Sequence, residues 1–181
     1  ANRTDAKVIK KNFMTRQATY ICDSYFDYIH KSSTSTKTIP ANTINTHLTI
    51  ECNIKGVLAE VLEYHLWKDV NGKKSVDMKG VKLDSLAKNV APKNGGWFII
   101  KRYALHADPS ECLNAPKGLV VSAIAKIKLT YPDGNIDEGY PIVQNVLKGC
   151  PPSSTKPKPS KPTKPQPSKS TKPQPSKSTK P

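Results

Sequence analysis

Apolar residues return along this chain at two different intervals. Over ANTINTHLTIECNI, residues Ile44, Leu48 and Cys52 recur at every fourth position, which puts them on one face of a helix opening near Thr38 and Pro40. Ahead of it, Ala18 to His30 (ATYICDSYFDYIH) is rich in aromatic and β-branched residues and reads as a strand. The run VLAEVLEYHLWKDV is two-sided. Its Leu58, Val61, Leu62, His65 and Leu66 fit a helical stripe better than strict alternation. Yet Asn71-Gly72 follows at once and KKSVDMKGVKL comes next, and Asn-Gly between two such runs is a strong hairpin signal. The turn decides, and both runs are assigned as strands. GGWFIIKRYALH is a further strand, while GLVVSAIAKIKLT and NIDEGYPIVQNVL flank a turn at Tyr131-Pro132-Asp133-Gly134. The pattern therefore predicts an α+β fold: one α-helix packed on a face of an antiparallel β-sheet of about five strands.

The two ends of the chain do not share this patterning. Residues 1–17 are polar and basic and read as a flexible arm, leaving a folded body over 18–150. Residues 151–181 hold 10 of the 16 prolines and no acid, and from Lys156 they run through three eight-residue copies, KPKPSKPT and two of KPQPSKST. Proline fixes φ and donates no hydrogen bond, so this tail favours extended polyproline II and is expected to be disordered. It carries 8 of the 29 basic residues, which leaves the rest of the chain at +7 out of a net +15. A balance of this kind suits a polyanion such as nucleic acid, an acidic wall polymer or a phospholipid surface. The tail itself serves as a spacer or as a polycationic arm for an acidic polymer, with binding that weakens steeply in salt. No apolar run is long enough to span a membrane.

Four cysteines, Cys22, Cys52, Cys112 and Cys150, change the picture again. None belongs to a CxxC pair or has a histidine at zinc-ligand spacing, so no metal is expected. An even number of widely spaced cysteines in a small basic chain implies disulfides and secretion, with three pairings open. The opening ANRTDAKV reads as a mature end left after removal of a signal peptide, and Asn2-Arg3-Thr4 is an acceptor sequence for N-glycosylation. There is no glycine-rich phosphate loop, GxSxG or HExxH, and no cofactor is expected.

Taken in order, Tyr20-Ile21-Cys22 on a first strand, one helix, an antiparallel sheet and a last cysteine at Cys150 resemble the ribonuclease-like effectors of powdery mildew fungi. These are small secreted proteins similar in turn to the microbial guanyl-specific ribonucleases. The resemblance spans residues 18–150. It implies a ribonuclease-like fold, a bond from Cys22 to Cys150 with Cys52 and Cys112 as an additional pair, and a virulence protein that binds RNA or a host plant protein. A plant immune receptor is a further implied partner.

Metal-free cleavage at a 2′-hydroxyl needs a base, an acid on the far side of the phosphorus and a cation for the crowded phosphate. Glu63 and His65 on one strand, with Arg102 and His106 on another, supply these types, and each pair shares a strand face. The ribonucleases carry Tyr-Pro-His on a catalytic strand, whereas this chain has Tyr64-His65 with no proline, and Arg102 and His106 stand too close together to copy the family's pattern. The expectation is a catalytically silent protein that binds RNA through Tyr20, Tyr25, Lys101 and Arg102. Two alternatives stand beside it: an active endoribonuclease using Glu63, His65, Arg102 and His106, and a wall-associated polycation. Trp67 and Trp97 are assigned to the core, and His47 and Glu51 to a side-chain pair four apart on the helix.

Overall fold

The computed structural model describes residues 20–32, 40–70 and 74–152. Ten strands follow in order: β1 (Cys22–Phe26), β2 (His30–Lys31), β3 (Ile44–Cys52), β4 (Leu58–Val70), β5 (Lys74–Asp77), β6 (Lys82–Ser85), β7 (Phe98–Ala107), β8 (Leu119–Thr130), β9 (Ile136–Gly139) and β10 (Ile142–Leu147). The first sheet runs β1-β3-β7-β6 with β2 also paired to β3, and the second runs β10-β8-β4-β5 with β9 also paired to β8. All pairings are antiparallel. Their inner faces share one core, in which Phe26, Leu48, Ile50 and Leu105 of the first sheet meet Leu66, Val121, Ile127 and Val143 of the second. This is a β-sandwich.

The expected α+β fold is overturned. Among the described residues there is no α-helix, only a 3-10 turn at Pro109–Glu111. The segment assigned as a helix is β3. Its apolar spacing of four is a multiple of two, so Ile44, Leu48 and Cys52 share a strand face as readily as a helix face. The β-branched content of INTHLTIEC tips the choice to the strand. Ile44, Thr46, Leu48, Ile50 and Cys52 point inward, and Asn45, His47, Thr49 and Glu51 point outward.

The ambiguity of the next run also has a structural cause. In β4 the register against β8 slips between Val61 and Glu63, leaving Leu62 as an extra residue. Inward positions are odd before this bulge (Ala59, Val61) and even after it (Leu66), so no single period fits the run. β4 and β5 pair as the hairpin expectation requires, although Asn71-Gly72 lies outside the described residues. KKSVDMKGVKL is two strands, not one. It crosses from β5 in the second sheet to β6 in the first through a turn in which Gly80 takes φ +67°, a conformation that favours glycine.

The disulfides join Cys22 to Cys52 and Cys112 to Cys150. The pairing of Cys22 with Cys150 is thereby corrected. Cys22 and Cys52 are directly opposite on β1 and β3, with Cα atoms 4.1 Å apart. The sheets are further joined at one edge by Asn145 of β10, whose amide accepts from the Ile29 N–H at 2.8 Å and donates to the Ile29 carbonyl at 3.0 Å. Ile29 lies in the break between β1 and β2, where its backbone has no ladder partner, so the side chain stands in for a strand. The expected arm over 1–17, the glycosylation sequence and the tail from residue 153 onward lie outside the described residues.

Candidate functional site on the outer face of the first sheet

The outward residues of β1, β3, β7 and β6 form rows across the sheet. One row holds Tyr25, Thr49 and Arg102, the next His47, Ala104 and Asp84, and a third His30, Asn45, His106 and Lys82. Three of the four histidines of the chain thus lie on one face. Directly opposite residues lie about 5 Å apart and diagonal neighbours about 7 Å, so these side chains are within mutual reach.

Glu51 anchors one end of this face. It is 0% exposed, and both carboxylate oxygens are saturated. Oε2 accepts from the Tyr25 hydroxyl at 3.0 Å and from the Lys93 N–H at 2.9 Å, while Oε1 accepts from the Asn94 N–H at 2.9 Å and Asn94 Nδ2 at 2.7 Å. Lys93 and Asn94 belong to the β6–β7 loop, which this carboxylate binds down on the sheet. A buried carboxylate is costly unless its lone pairs are met, and these donors meet them. The Lys93 ammonium completes the arrangement, lying 4.4 Å from the centre of the Tyr25 ring.

At the other end, Asp27 fixes His47. The Asp27 carboxylate lies 2.6 Å from His47 Nδ1 and accepts from the His47 N–H at 2.7 Å and the Thr46 hydroxyl at 2.8 Å. Burial pushes the Asp27 carboxyl up, but the bonds from the His47 side chain and backbone and the charge attraction to that ring outweigh it, so its pKa lies below the ordinary value. With Nδ1 engaged, His47 presents Nε2 outward. Its ring centre lies 5.6 Å from that of His30, and His30 lies 5.5 Å from Tyr28, itself 50% exposed. Tyr28, His30 and His47 therefore form a ladder of rings. His106 is buried and engages Asp84 Oδ2 at 2.7 Å.

The residues expected at a catalytic centre are not brought together. Glu63 and His65 are on β4 in the second sheet, Arg102 and His106 on β7 in the first. His65 stacks on Trp67 with ring centres 5.3 Å apart, and lies 4.0 Å from Glu63 and 3.9 Å from Asp77, loose contacts between exposed groups. Of the expected RNA-binding residues, Tyr25 and Arg102 share a row, whereas Lys101, opposite the inward Ile50, is exposed but leaves the sheet on the other face. Tyr20 does not join them. It is buried and stacks on Tyr131 at 5.5 Å, in surroundings where burial and the nearby Asp137 and Asp133 push the Tyr131 phenol up to about 12. Sequence reading missed Asp27, Tyr28 and His30, and placed His47 and Glu51 on a helix. The alternation of INTHLTIEC was the signal for the last two.

Among the described residues, no group of three or more His, Cys, Asp or Glu side chains is arranged to hold a metal ion, and no helix is long and apolar enough to cross a membrane. The chain matches no protein-family model, no curated protein and no solved structure.

Proposed function

We propose that the protein is a secreted binding protein that holds single-stranded RNA on the outer face of its first sheet. The observation that carries this reading is the ring ladder of Tyr28, His30 and His47, with Arg102 diagonal to His47 in the register. Every base has a π-face, so aromatic and imidazole rings beside a guanidinium suit unpaired bases and their phosphates. The net charge of +15 supplies a long-range attraction to the same partner. Two disulfides and the absence of a free cysteine favour an oxidising compartment, and with it secretion.

Cleavage is not part of the proposal, because a base on one sheet and an acid on the outer face of the other do not flank one phosphorus atom. The mildew effectors enter as a mode of action, a disulfide-linked fungal protein that acts in a host plant by binding. The helix-on-sheet fold implied by that resemblance is not retained. The lysine-rich tail adds a sequence-independent attraction to RNA or to an acidic wall polymer.

Fluorescence anisotropy with a labelled twelve-residue oligouridylate tests the reading. Binding is expected to weaken linearly in log–log against salt, and Tyr28→Ala or His47→Ala to lower affinity by about tenfold, the worth of one stacked base. Removing residues 151–181 should flatten the salt slope and leave the effect of the rings intact. Equal affinity for a duplex of the same length, or indifference to both ring substitutions, would overturn it.

A further inference from the structure

We propose that a groove between the β3–β4 connection and the β6–β7 loop is a binding site for a small amphipathic anion, an apolar body ending in one acidic group. This goes beyond the RNA reading and uses different side chains. The groove has a volume of about 520 Å³, within the range of small-molecule sites. Its walls include Val57, Val90, Trp97 and Phe98, and among the described residues the only charged ones lining it are Lys55 and Lys88.

Three features separate it from a chance hollow. First, it is preformed. The loop that makes one wall is fastened at Lys93 and Asn94 by the buried Glu51 carboxylate, between Pro92 and Trp97 of the lining, and the Trp97 N–H closes a turn onto the Asn94 carbonyl at 3.2 Å. A pocket held in this way loses little freedom when filled. Second, it leaves apolar surface in water, since Val90 and Phe98 are 44% and 37% exposed, and a ligand body would cover it. Third, both ammonium groups are stationed at the groove and neither meets a carboxylate among the described residues. Lys55 Nζ lies 5.2 Å from the centre of the Phe98 ring, and Lys88 Nζ donates to the Ile100 carbonyl at 3.4 Å. A carboxylate or sulfonate placed between them would gain charge-assisted hydrogen bonds that a neutral ligand lacks. The charge of the lining thus selects the sign of the ligand, and the indole and phenyl rings select its apolar body.

The full chain with Trp67→Phe keeps Trp97 as its single tryptophan and reporter. Titrated with 8-anilinonaphthalene-1-sulfonate, it should show one saturable site with Trp97 emission quenched. Adding Lys55→Met and Lys88→Met, which keep the aliphatic stems on exposed positions, should weaken the sulfonate by about tenfold and the neutral N-phenyl-1-naphthylamine hardly at all. Val90→Phe should block both ligands, and dodecanoate should displace the sulfonate. The proposal is overturned by sulfonate affinity that ignores both lysines, by unquenched Trp97, or by binding that survives Val90→Phe. It is also overturned if dodecanoate fails to compete while phosphatidylglycerol vesicles sediment the protein in a Lys55- and Lys88-dependent way, since the site would then serve a membrane surface. Undiminished RNA binding by the lysine variants leaves the two proposals independent.

Discussion

The outer faces of the two sheets use the same residue types to opposite effect. On the first sheet, Glu51 and Asp27 are drawn close to the backbone, and each accepts hydrogen bonds from main-chain N–H groups as well as side chains. On the second, Glu60 and Glu138 flank Lys128 across three strands and Glu63 faces Lys126, while Leu58 and Ile136 stand in water around them. The charges of the second sheet stand opposite one another in the register yet hold nothing in place, because solvent competes for each of them and screens the attraction. Those of the first sheet fix a loop, a histidine and the course of an interrupted edge strand. What distinguishes a carboxylate that organises a site from one that dresses a surface is the number of directed donors it meets out of water.

Substitution separates the two regions in descending order of effect. Glu51→Ala should cost at least about 3 kcal/mol, since it orphans the Lys93 and Asn94 N–H groups together, and urea unfolding should show it as a lower midpoint. Asn145→Ala, at the seam between the sheets, leaves both backbone groups of Ile29 unmet and should cost about 2 kcal/mol by the same measurement. Asp27→Asn should have a smaller effect that depends on pH. Because the folded carboxyl titrates below its ordinary 3.8, its contribution is present above that value and lost as pH falls through the folded value, so wild type and variant should converge in acid. Glu63→Ala and His65→Ala should change stability by less than about 0.5 kcal/mol, and a larger loss would erase the contrast between the faces.

Much of the strand content was legible in the sequence. The turn signals read in Asn71-Gly72 and Tyr131-Pro132-Asp133-Gly134 separate runs that do become neighbouring strands, because turn chemistry is local. Where the reading failed, the deciding interaction was remote. The helix assigned around Ile44 and Leu48 met every local requirement of spacing, and pairing with β1 and β7 makes the segment a strand. The bulge at Leu62 erased the period of β4, and the crossing at Gly80 split a run that looks continuous. Of the site, Tyr25 and Arg102 were found from residue type. The partners that orient it were not, since Asp27 reaches residues 46 and 47, and Glu51 reaches 93 and 94. No local pattern encodes contacts across such separations.

The two sulfur bridges close rings that lie side by side along the chain, residues 22–52 and 112–150, instead of one enclosing the other. Everything from Asn53 to Glu111 is covalently threaded through neither. A protease that cuts once in the β6–β7 loop should therefore release two pieces that separate on a denaturing gel without any reductant, whereas a nested arrangement would keep them as one band. Across that span the sandwich is held by non-covalent contacts, the Lys68–Glu111 ion pair among them.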